Sequence, residues 1–91
     1  MGEDADAYDY RPEVLEALRA HGVVPTGRTR PELVHEFVGD LYRYEIRRLR
    51  ARLLAGEFPR KEYAGRVIAL RVRYPLLSMR AEEWLRTGES S

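Results

Sequence analysis

The stretch from Thr29 to Gly56 constrains this chain more than any other part of it. It opens with Thr29-Arg30-Pro31-Glu32, a threonine followed three residues later by a glutamate. That spacing is a capping box: the hydroxyl accepts a backbone N–H of the first turn while the carboxylate reaches back to the cap. Proline just inside the start strengthens the signal, because the N–H it lacks has no intrahelical partner there. No further proline occurs between Pro31 and Pro59. Gly56 is the natural stop, since glycine adopts the left-handed conformation that closes helices. One helix is therefore expected from about Arg30 to Ala55, roughly 37 Å long at about 1.5 Å per residue.

The same punctuation divides the rest of the 91 residues. Residues 1–9 read as a flexible acidic tail, 10–87 as a single helical domain, and 88–91 as a frayed C-terminus. Pro12 opens a first helix with Val14, Leu15 and Leu18 on one face, and Gly22 ends it. Pro25 and Gly27 mark a connection. Pro59 can open a third helix in which Tyr63, Val67, Leu70 and Tyr74 recur at spacings of four, three and four. Pro75 disfavours helical geometry at Tyr74, so that helix ends there. Ser78 then caps a short fourth helix through Trp84, Leu85 and Arg86. No strand-like alternation or internal repeat is present. The short link at Gly56 makes the second and third helices antiparallel neighbours. The expected fold class is all-α, a small bundle of three to four helices built on an antiparallel helical hairpin.

Composition narrows the chemistry. The chain is 44% hydrophobic and 34% charged, with no cysteine, so disulfides, thiolate metal sites and cysteine nucleophiles are excluded together. No apolar run approaches the roughly 18 residues of a membrane span, and the N-terminus lacks the apolar segment of a secretory signal. A cytoplasmic protein is expected. Fifteen of the sixteen basic residues are arginine, and asparagine and glutamine are absent; a GC-rich genome accounts for this better than heat adaptation, whose signal is lysine and glutamate enrichment.

Catalytic, cofactor and metal residues are not evident. Glu32, Glu36 and Asp40 line one helical face, where acids near a helix start are favoured by the dipole. Glu32-x-x-His35 matches half of a bundle-type di-metal motif, but it stands alone. His35-Glu36 lacks the second histidine of a metalloprotease helix, and no glycine loop cradles a phosphate. Gly39 and Gly65, each inside an expected helix, suggest close approach of a neighbouring helix or ring, because glycine there costs about 1 kcal/mol relative to alanine.

What remains is surface. On a helical wheel the long helix carries a broad apolar sector of Leu33, Val34, Phe37, Val38 and Leu41, with Tyr44 at its edge. Farther along, the stripe turns and narrows to Tyr42, Ile46, Leu49 and Leu53, the spacing of a coiled-coil seam. Two directions in one helix suggest two packing partners. Either the third helix covers the seam while the first and fourth cover the broader face, or part of either stripe meets another chain, most economically a second copy in a two-fold dimer. The expected function is a non-enzymatic helical interaction module, an accessory or regulatory subunit working through a protein partner or as a homodimer, with that seam as its interface. The alternative is a nucleic-acid-associated protein. Residues 28–74 hold twelve bases and six acids, and Arg43, Arg47, Arg48, Arg50 and Arg52 would contact phosphates. No small-molecule substrate is indicated.

Overall fold

The long helix is present, and the rest of the chain is arranged along it. The structure, a computed structural model, describes residues 8–86. Over these residues the chain is all-α, with α1 (Pro12–Arg19), α2 (Pro31–Leu54) and α3 (Tyr63–Val72). A short 3₁₀ turn at Arg60–Glu62 leads into α3, and two more follow it at Pro75–Ser78 and Ala81–Trp84. No strand occurs among the described residues; Tyr10 and Leu85 form one isolated antiparallel bridge. No helix among them is long and apolar enough to cross a membrane. The expected tail lies outside the described residues except for Tyr8 and Asp9, and the frayed C-terminus lies outside them entirely. Tyr8 donates its N–H to the Gly27 carbonyl at 2.9 Å, and Asp9 accepts from the Arg86 N–H at 2.8 Å.

Both glycine stops behave as backbone sterics require. Gly22 and Gly56 each adopt φ +79°, and in each case the next residue bonds back across the turn: Val23 N–H to Leu18 at 3.0 Å, Glu57 N–H to Arg52 at 3.0 Å. These are Schellman closures, which satisfy carbonyls left over at the helix end.

Three local expectations need correction. The capping box at Thr29 does not form: α2 starts at Pro31 with Arg30 as cap and no side-chain bond to it. The Thr29 hydroxyl instead accepts the Thr26 N–H at 3.0 Å, and the Glu32 carboxylate sits 3.9 Å from the Arg30 guanidinium. A threonine in a tight loop has local backbone donors to choose from, and here the loop wins. The fourth helix is replaced by two 3₁₀ turns separated by extended Met79. There the Trp84 carbonyl accepts the Arg11 N–H at 2.9 Å, so tertiary pairing takes the group that a continuing helix would use. Gly39 and Gly65 meet no neighbouring helix or ring. A methyl added at Gly39 would lie 3.6 Å from the flexible Arg43 guanidinium, and one at Gly65 would meet nothing within 4 Å.

The core lies over the N-terminal half of α2. Val34 and Val38 form one buried cluster with Val14 and Leu18 of α1, Tyr10, Leu70, Tyr74, Leu76 and the fully buried Trp84. The Trp84 indole N–H donates to the Leu76 carbonyl at 3.4 Å. Tyr10 donates its hydroxyl to the Thr29 carbonyl at 2.6 Å. Burial, reinforced by Glu32 and Tyr8, pushes the Tyr10 phenol up to about 12. Beyond this core, Leu49 is the one buried residue that the C-terminal half of α2 contributes. α3 runs back along that half. Tyr42 meets the edge of Tyr74 at 5.3 Å, whereas Arg52 and Arg66 share Phe58 at the turn. The result is an elongated shape, 56 × 26 × 16 Å.

Candidate interaction site

The arm formed by residues 42–74 carries ten bases and three acids, a net of +7. The other described residues, 8–41 and 75–86, carry six bases and eight acids, a net of −2. Charge is thus divided between two parts of the molecule, and the buried hydrophobic residues of the basic part are Leu49, Phe58, Leu70 and Tyr74.

At the turn, Phe58 is buried under two guanidinium groups, Arg66 at 4.2 Å and Arg52 at 5.7 Å from the ring centre. Each arginine is held by a neighbouring acid, Arg52 by Glu57 at 2.9 Å and Arg66 by Glu62 at 3.0 Å. Such stacking uses the negative face of the ring, and the acids restrict the rotamers that reach it. The closure positions two of the four arginines of a groove between α2 and α3. Glu45, Arg48, Leu49 and Arg52 line one side of it, and Arg66, Ala69, Leu70 and Arg73 the other, around about 280 Å³. Arg48 also lies 5.9 Å above the exposed Tyr44 ring.

The structure divides the five expected polyanion contacts between two flanks. Arg48 and Arg52 face the groove. Arg43, Arg47 and Arg50 follow the opposite, outer flank of α2 at spacings of four and three, and all three are exposed. Arg43 is tied to Asp40; Arg47 and Arg50 form no ion pair among the described residues. Arg66 and Arg73, which join Arg48 and Arg52, are 14 and 21 residues farther along from Arg52, too distant for any local spacing to pair them.

Three residues of the expected interface seam, Tyr42, Ile46 and Leu49, are engaged within the chain. Leu49 is buried, while Tyr42, Ile46 and Leu53 are half-buried, with Tyr42 and Ile46 packed against the core. The apolar surface left open lies elsewhere. On α2 it comprises Leu33, Phe37, Tyr44 and Leu54, and on α3 Ile68 and Val72, which keep 61% and 71% of their surface exposed. The signal for α3 was in the sequence: Ala64, Gly65, Ile68, Ala69 and Val72 carry no charge and fall opposite Tyr63, Val67 and Leu70.

Neither histidine stands free. His21 bonds through Nε2 to the Arg73 carbonyl at 2.9 Å and stacks on Tyr74 with centres 4.3 Å apart. His35 bonds through Nε2 to the Met79 carbonyl at 2.8 Å and lies 5.1 Å from Trp84. A carbonyl only accepts, so Nε2 carries the proton in both. Both rings act as struts that tie distant segments together, and His35 turns toward Met79 instead of joining Glu32 in a ligand pair. Among the described residues, no three histidine or acidic side chains converge on a point where a metal ion would sit. Compared with protein-family models, curated proteins and solved structures, the chain matches none.

Proposed function

We propose that the chain is a non-enzymatic interaction module, a cytoplasmic accessory or regulatory subunit that acts through a protein partner or as a homodimer. In this reading the fold is a small bundle organised on the α2–α3 hairpin, with α1 and the 3₁₀ turns closing one end and the other end offered to a partner. The observation that supports it is the open apolar surface of the basic arm, above all Ile68 and Val72. Apolar surface rimmed by charge is characteristic of protein contact sites. A photoactivatable side chain at position 68, compared with one at the exposed Val24 of the loop, tests this in the native cell. Cross-links at 68 that are absent at 24 are expected. Equal labelling at both sites refutes a defined contact surface on the arm.

One observation favours a second reading, association with nucleic acid. Arg48, Arg52, Arg66 and Arg73 gather around one groove with the Tyr44 ring beside it, a combination suited to phosphates and unpaired bases. Binding to a mixed oligonucleotide must then fall steeply with salt. No binding at low salt eliminates this reading.

A further inference from the structure

We propose that the outer face of α3 docks an acidic amphipathic helix of another protein; this deepens the interaction reading and rests on it. The inner side of α3, through Leu70, is committed to α2. Its outer side presents Ile68 and Val72 flanked by exposed Ala64, Gly65 and Ala69, with no charged residue between them. Nothing lies within 4 Å of the point where a Gly65 side chain would begin, so a partner backbone can approach there closely. An apolar face of two to three turns is what a helix uses to seat anchors at spacings of three and four.

Charge selects the occupant. On a helical wheel the face is bordered by Arg71 on one side and by Arg66 and Arg73 on the other, with Lys61 in the turn that precedes α3. Of these, Arg66 alone is paired with an acid among the described residues. A second copy would place one +7 arm against another, with Glu62 the single acid in the 60–74 segment to offset it. Like charges brought together oppose association, whereas a partner with glutamates or aspartates beside its apolar stripe gains from every border residue. The α3 helix is about 15 Å long, so the contact belongs to the small, transient class of interfaces.

The experiment uses the full chain and a fluorescein-labelled peptide of about 18 residues, with leucine and alanine on one helical face and glutamate elsewhere. A companion peptide carries lysine in place of every glutamate. Anisotropy is read at low and high salt, and sedimentation velocity gives the mass of the chain alone. Saturable binding of the acidic peptide is expected, weakened by salt, with no binding of the lysine peptide. The double substitution Ile68→Ser with Val72→Ser should weaken binding roughly 10-fold or more and leave the circular dichroism unchanged, since both side chains are exposed. Arg71→Gln with Arg73→Gln should weaken it and flatten its salt dependence. Acidic-peptide binding that survives the serine substitutions overturns the proposal. So does a dimer that those substitutions dissociate, which assigns the face to a second copy while the interaction reading stands. Oligonucleotide binding without peptide binding moves the arm to the second reading. A monomer that binds none of the probes removes both the docking face and the homodimer form of the interaction reading.

Discussion

Replacing Gly65 with alanine should make this protein more stable, and the structure sets the size of the effect. Gly65 lies in the first turn of α3 with an ordinary helical backbone; the positive φ values belong to Gly22 and Gly56. A methyl group there meets nothing within 4 Å, so the substitution adds no clash and removes no contact. Two effects then act in the same direction, since alanine is the better helix former and restricts the unfolded chain. They overlap, and together are worth about 0.5–1 kcal/mol, the lower part of that range applying near a helix end. For a domain of this size, about 1 kcal/mol raises Tm by roughly 4–8 °C. Thermal unfolding followed by far-ultraviolet circular dichroism measures the shift, and hydrogen exchange at the amides of residues 66–72 localises it. The same change at Gly56, where φ is +79°, should destabilise by about 1–2 kcal/mol. A Gly65→Ala protein with unchanged or lower Tm and no added protection would refute the reasoning. It would mean that the α3 backbone is covered or that the helix is not formed there.

Three further outcomes follow from the same geometry. Phe58→Ala should cost about 3 kcal/mol at the turn, and because the arm buries only Leu49 and Phe58 outside the core cluster it should melt at lower urea than the core around Trp84. Circular dichroism and the fluorescence of the single tryptophan would then give separate transitions, and coincident ones would show that arm and core unfold together. Alkaline pH should destabilise the fold. Burial raises the Tyr10 phenol to about 12 and pushes Tyr74 upward as well, against about 10 unfolded. The neutral phenols therefore favour the folded state fully below pH 10, and that contribution is lost as pH rises toward 12. A urea midpoint unchanged between pH 9 and pH 11 would contradict this. Finally, Glu32→Ala should cost no more than the loss of one exposed charge in the first turn, about 0.5 kcal/mol, because Glu32 does not cap α2; a loss well above about 1 kcal/mol by urea denaturation would restore the capping box.

The division between what the sequence determined and what the tertiary structure decided follows the range of the forces involved. Proline and glycine act on the backbone within a few residues, by ring closure or by the lack of a Cβ. The start of α2 at Pro31, its closure at Gly56, the end of α1 at Gly22 and the end of α3 before Pro75 were therefore legible in the chain itself. Helical periodicity likewise showed that α2 has apolar side chains in two directions. It could not say which direction would be buried, because burial depends on what stands opposite. Folding placed α1 and Trp84 over Val34 and Val38 and placed α3 over Leu49, which left Leu33, Phe37, Ile68 and Val72 outside. The capping box failed for the same reason: a local pattern offers a hydroxyl and a carboxylate, but the surrounding chain supplies competing donors. The arginine groove shows the limit most clearly. Arg48 and Arg52 meet Arg66 and Arg73 only because Gly56 reverses the chain and Phe58 seats the return, a juxtaposition made by packing and not by spacing.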